Sequence, residues 1–131
     1  MKTYKNRFVK QNRRIKRKNL GIIHINSTLN NTILTLTDLR GNTLSWSSAG
    51  SIGAKNSRKS SSYSAQLAGE DLGKKCVKKN IKFVEVQLKG IGYGKETSIR
   101  GLKLAGLRIY RISELTAIPY NGCRASKKRR V

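Results

Sequence analysis

The chain has 131 residues, with 29 Lys and Arg against six Asp and Glu, giving a formal charge of +23 and a pI near 10.8. At 37% hydrophobic residues it can fill one domain core only if the charge lies outside that core, and so large an excess calls for a polyanionic partner. No run approaches the roughly 20 apolar residues needed to cross a bilayer, and Cys76 and Cys123 form no CxxC motif, which speaks against a membrane span, a metal site and a disulfide scaffold.

Residues 1–18 hold nine basic side chains and no acid, and residues 119–131 hold five more, again with no acid. These ends read as basic arms flanking a single domain at 19–118, the kind of charge block that orders on a phosphate backbone. A mitochondrial presequence at 1–18 is the weaker alternative, because the segment lacks serine and has little apolar periodicity.

Within the domain, Gly21–Ser27 is β-branched and bounded by turn-formers, which predicts a strand. Thr28-Leu29-Asn30-Asn31 supplies a turn, and Thr32–Thr37 alternates into a second strand. Asp38–Asn42 turns again, with Gly41 the left-handed residue, into a third strand at Thr43–Ala49. Leu44 and Trp46 share one face of it, and Ser45 and Ser47 the other, so Leu44 and Trp46 are assigned to the core. Gly50–Lys59 reads as a loop, and Ser60-Ser61-Ser62 as a helix N-cap. From Tyr63 to Asn80 the residues Ala65, Ala68, Leu72 and Cys76 recur at helical spacing, with Lys74, Lys75, Lys78 and Lys79 crowding the last turns. A fourth strand at Ile81–Leu88, a glycine loop at Gly90–Gly94, a helix at Glu96–Ala105 and a fifth strand at Leu107–Ile112 complete a βββ-α-β-α-β order. Right-handed crossovers make strands four and five parallel, giving a mixed α/β sheet with both helices on its faces.

The loop Gly90-Ile91-Gly92-Tyr93-Gly94-Lys95-Glu96 lies between strand and helix, but its spacing fits neither a Walker loop nor a dinucleotide fingerprint. Its backbone N–H groups either grip a phosphate or simply turn the chain. Ser57-Arg58-Lys59-Ser60 pairs cations with hydroxyls just before a helix, a phosphate-binding combination. Trp46 and Tyr63 are read as packing residues, Tyr93 as the better stacking candidate, and His24 as structural. The six carboxylates are scattered, so no two-metal or acid–base constellation is visible. A divergent nuclease and a free-standing chromatin- or RNA-compacting protein are the competing classes.

Several segments together resemble one family, small-subunit ribosomal protein eleven. They include Gly21-Ile22-Ile23-His24-Ile25, Asn30-Asn31-Thr32-Ile33, Leu44-Ser45-Trp46-Ser47-Ser48-Ala49-Gly50, Ser57-Arg58-Lys59-Ser60, Lys89–Glu96, Asn121-Gly122-Cys123-Arg124 and Lys127–Val131. The likeness covers roughly residues 19–131 in the bacterial and organellar form, most like the mitochondrial branch of plants and algae. It implies a ribonuclease-H-like five-stranded sheet of order 3-2-1-4-5, no catalysis and no cofactor. It also implies binding of small-subunit rRNA on the platform near the mRNA exit region, beside neighbouring platform proteins. A mitochondrial ribosome is the expected location, with a plastid or bacterial cytoplasm as alternatives, and no homo-oligomer is expected.

The resulting candidate RNA ligands in the N-terminal arm are Arg13, Arg14, Lys16, Arg17 and Lys18; those in the domain are Asn30, Asn31, Lys55, Arg58, Lys59, Gly92, Gly94 and Lys95. In the tail they are Asn121, Arg124, Lys127, Lys128, Arg129 and Arg130. Three positions depart from the family pattern: Tyr120 replaces its usual His, Ala125-Ser126 replace two prolines, and Ile91 replaces a common proline. Without those prolines the tail is less stiff before binding. Asn121-Gly122 is also a candidate for isoaspartate formation, since glycine leaves the attacking nitrogen unhindered.

Overall fold

The computed structural model describes residues 19–128. The candidates Arg13, Arg14, Lys16, Arg17, Lys18, Arg129 and Arg130 lie outside the described residues. Five strands form one sheet: β1 (Leu20–Ser27), β2 (Thr32–Thr37), β3 (Thr43–Ser48), β4 (Phe83–Lys89) and β5 (Arg108–Glu114). Two helices connect the later strands, α1 (Ser62–Lys78) and α2 (Gly94–Leu104). The sheet order is β3-β2-β1-β4-β5, as the family resemblance implied. β2 runs antiparallel to β1 and β3, whereas β4 runs parallel to β1 and β5 parallel to β4.

Local chemistry sets the boundaries. The Asp38 carboxylate accepts the backbone N–H groups of Arg40 at 2.8 Å and Asn42 at 3.0 Å, closing the β2–β3 turn. Those bonds, the Asn42 side-chain amide first among them, hold the Asp38 pKa below its ordinary value. α1 starts where Ser61 Oγ accepts the Ser64 N–H at 3.2 Å, and it ends before Asn80, whose φ of 60° is left-handed. The loop expected at Gly50–Lys59 instead contains a 3-10 helix at Asn56–Ser60.

The two helices do not lie on opposite faces. Ala68, Leu72 and Cys76 of α1 and Leu102 of α2 join Ile23, Ile25, Leu34, Leu36, Val84 and Val86 in one buried cluster. The reason is directional: β3 to β4 and β4 to β5 both step the same way across the sheet, so two right-handed crossovers fall on the same side. There the helices touch closely, and a Cβ at Gly101 would stand 2.2 Å from the Gln66 carbonyl oxygen.

The opposite face is uncovered among the described residues, and it corrects the reading of β3. Leu44 and Trp46 point there and are exposed, while Ser47 is fully buried on the helix side. Ser47 Oγ donates to Asp71 Oδ2 at 2.8 Å, so a helix carboxylate rather than apolar packing decides which way this strand faces. Tyr63, expected to pack, is 70% exposed on the first turn of α1. His24 lies on the open face, with Nε2 3.2 Å from Thr37 Oγ1.

Candidate nucleic-acid interface

β1, β3, β4 and β5 all point the same way, so the segments that follow them gather at one end of the sheet. These are the Thr28–Asn31 turn, the connection through Arg58 and Lys59, the glycine loop and the chain beyond Glu114. Contacts tie them together. Ser27 Oγ lies 3.3 Å from Thr32 Oγ1 and accepts the Gly94 N–H at 3.2 Å, fixing the start of α2 to the end of β1. A Cβ on Gly94 would stand 2.9 Å from that of Ala65, which shows the starts of α1 and α2 side by side.

Arg58 is presented by the 3-10 helix with its backbone anchored: its carbonyl accepts the Ser64 hydroxyl at 2.8 Å, and the Arg58 side chain is exposed. Lys55 is exposed and Lys59 half-buried nearby, and none of the three forms an ion pair among the described residues. These cations lead into the N-terminus of α1, whose first turn holds no acid. Asn31 serves the turn, its Oδ1 accepting the Thr32 N–H at 2.9 Å, whereas Asn30 is exposed beside it.

In the glycine loop, two of the expected donors are already used. Gly92 N–H donates to the Ser27 carbonyl at 2.9 Å and Gly94 N–H to Ser27 Oγ. A Cβ at Gly92 would lie 2.3 Å from the Thr28 carbonyl oxygen. Gly92 and Gly94 are therefore placed by close packing on the β1–β2 turn, and their amides cannot grip a phosphate in this conformation. Lys95 sits on the far side of the loop, where its ammonium pairs with Glu114 at 3.2 Å. Thr116 accepts the Gly90 N–H at 3.1 Å and bonds Glu114, clasping the chain after β5 to the loop. The Thr116 hydroxyl, and then Lys95, hold the Glu114 carboxyl below its ordinary range.

The tail returns to the same place. Lys128 Nζ lies 5.9 Å from the centre of the Tyr93 ring, and Tyr93 is 71% exposed. Asn121, Arg124 and Lys127 are exposed along the way, with Asn121 at a left-handed φ of 58°. Lys89, exposed at the end of β4, belongs to this group although the sequence reading passed over it. Its place directly before the glycine loop was the available signal. Ser27 and Thr116 carried no such signal, because their roles depend on partners far away in the chain.

The fold and this end of the sheet define a small basic α/β protein that presents cations from loops held on a rigid base. The family model for ribosomal protein S11 matches residues 21–130. The chain is 49% identical over 121 residues to the small ribosomal subunit protein uS11 of Methylobacterium radiotolerans, covering 91% of this chain and 94% of that protein. Its identity to uS11m of Marchantia polymorpha is 56% over 105 residues, 80% of this chain and 84% of the relative. The chain belongs to the ribosomal protein S11 family, and as such it is a structural, non-enzymatic component of the small ribosomal subunit.

Proposed function

We propose that this chain binds small-subunit rRNA on the platform, near the mRNA exit region, through the carboxyl end of its sheet and both basic arms. The observation that supports this most is the gathering of Arg58, Lys59, Lys89 and the Tyr93–Lys128 pair on loops at one sheet end. Loops outside the carboxyl ends of parallel strands are the usual binding position of open α/β sheets. Arg58, Lys59, Lys55, Asn30 and the tail from Arg124 onward contact phosphates, the arms between RNA helices neutralise more, and neighbouring platform proteins adjoin. Glu114 offsets part of the Lys95 charge, so the contribution of Lys95 is smaller than that of Arg58.

If roughly eight phosphates are neutralised, log K for an rRNA fragment falls with log salt at a slope of about −6 to −7. The double change Arg58→Ala/Lys59→Ala weakens that binding without unfolding the domain. A slope near zero, or a variant that loses stability and keeps affinity, refutes the reading.

The mitochondrial ribosome is the proposed location, resting on the 56% likeness to uS11m against 49% for the bacterial relative. Co-sedimentation with the small subunit from purified mitochondria tests it, and sedimentation only with plastid or bacterial subunits rejects it. At Asn121-Gly122 the exposed side chain fits isoaspartate formation, which peptide mapping checks; recovery of unmodified asparagine alone dismisses it.

A further inference from the structure

On the open face of the sheet, a cavity of about 120 Å3 lies between β1 and β4, where the chain leaving β5 adds a side wall. Register puts its polar lining on one face: His24 stands opposite Gln87, and Asn26 opposite Lys89. All four alternate with residues buried under the helices, Ile23 and Ile25 on β1 and Val86 and Leu88 on β4. The Leu115 N–H donates to the Leu88 carbonyl at 2.8 Å, which sets the exposed Leu115 beside β4 as the apolar wall.

Hydrogen bonds fix what this lining offers. The Thr37 hydroxyl donates to the Ile22 carbonyl at 3.4 Å, so it accepts from His24 Nε2, 3.2 Å away. The neutral imidazole then carries its proton on Nε2, and Nδ1 is an acceptor. The Gln87 amide nitrogen donates to Glu85 Oε1 at 3.5 Å, which leaves the amide oxygen as its acceptor for a ligand. Asn26 brings a donor and an acceptor together, and Lys89 is exposed with no ion pair among the described residues.

We propose that this cavity takes one unpaired RNA base whose pairing edge carries an amine beside an acceptor nitrogen, that is, adenine or cytosine. The amine donates to Gln87 and His24, the ring nitrogen accepts from Asn26, the ring lies on Leu115, and Lys89 holds the adjoining phosphate. The site rests on the RNA-binding reading above and adds base recognition to an interface otherwise built of phosphate contacts. Lys89 directly precedes the glycine loop, so the cavity is continuous with the carboxyl end of the sheet. The +23 charge draws an anionic ligand of any kind to this face. A carboxylate from a neighbouring protein would satisfy Lys89 but has no donor for the two acceptors. Uracil places a carbonyl where the amine belongs, and the same acceptors repel it.

His24 is the sole histidine of the chain, so its imidazole proton resonances report the site directly. Adenosine and cytidine hexanucleotides added to the full chain are expected to shift those resonances. They are also expected to bind about tenfold tighter than the uridine hexanucleotide. Tighter binding of only one of the two supports the site and names its base. Asn26→Ala/Gln87→Ala is expected to bring adenosine and cytidine binding down to the uridine level, whereas Lys89→Ala is expected to weaken all three alike. Equal binding of the three hexanucleotides, or unmoved His24 resonances, while Arg58→Ala/Lys59→Ala still weakens rRNA binding, overturns the base site and leaves the rRNA reading intact. Absence of salt-dependent rRNA binding in the unmodified chain overturns the rRNA reading itself. His24 shifts produced by a neighbouring small-subunit protein without RNA assign the cavity to a protein and overturn the proposal.

Discussion

The Gly94 N–H donates to Ser27 Oγ at 3.2 Å across 67 residues of sequence, joining the last residue of β1 to the first of α2. Both residues are buried, so this amide has no water to turn to. Ser27→Ala is expected to leave it unpaired and to lower unfolding free energy by about 1–3 kcal/mol in urea titration. An unchanged midpoint would show that the loop relaxes to find another acceptor.

At the crossing of α1 and α2, two opposing effects can be weighed. Gly101→Ala gains about 1 kcal/mol of helix propensity. The new Cβ, however, meets the Gln66 carbonyl at 2.2 Å, a backbone atom that cannot rotate away. Overpacking of this kind costs about 1–3 kcal/mol, so a net loss of stability is expected in thermal unfolding. A rise in Tm would mean that the helices separate easily.

The two thiols have different surroundings. Cys76 is buried among Ile23, Leu72 and their neighbours, and burial raises its pKa to about 11, whereas Cys123 is exposed. At pH 8 a maleimide is expected to label one cysteine in the native chain and both after unfolding. Because the folded pKa lies above the ordinary thiol value of 9.0, this thiol adds stability at lower pH that fades as pH rises from 9.0 towards 11. Rapid double labelling of the native chain would contradict the packing.

Acid has the opposite sign. For Asp71, burial raises the pKa, but hydrogen bonds from Lys75 and Ser47 outweigh it and the net shift is downward from 3.8. The unfolded chain then binds more protons, so the stability this carboxylate adds is present above pH 3.8 and is lost as pH falls through its folded value. Asp71 is partly exposed, so solvent screening keeps the effect small. Urea midpoints compared at pH 7 and pH 3 should fall less for Asp71→Asn than for the unmodified chain; equal falls would exclude Asp71 as a contributor.

Much of the fold was legible locally. Thr32–Thr37 was placed to the residue, because β-branched alternation between two turn-formers leaves little freedom. Helical spacing and the serine cluster placed α1 at Tyr63–Asn80, against Ser62–Lys78 in the structure, where Ser61 caps the start and the left-handed Asn80 lies beyond the end. At Trp46 the reading failed for a physical reason: alternation gives the period of a strand and not which face is covered. The cations Arg58 and Lys59 were legible as a candidate site, while their 3-10 helix and the internal use of the Gly92 and Gly94 amides were not, the latter because it depends on Ser27.

The sequence by itself determined what is local or compositional: the strand and helix periods, the excess of basic residues towards both ends and the family. Tertiary structure alone decided the rest, because those features depend on strand order and long-range partners. Two right-handed crossovers in one direction put both helices on one face, Asp71 drew Ser47 inward and turned Trp46 out, and parallel strands brought Arg58, Lys89, Tyr93 and Lys128 to one end of the sheet.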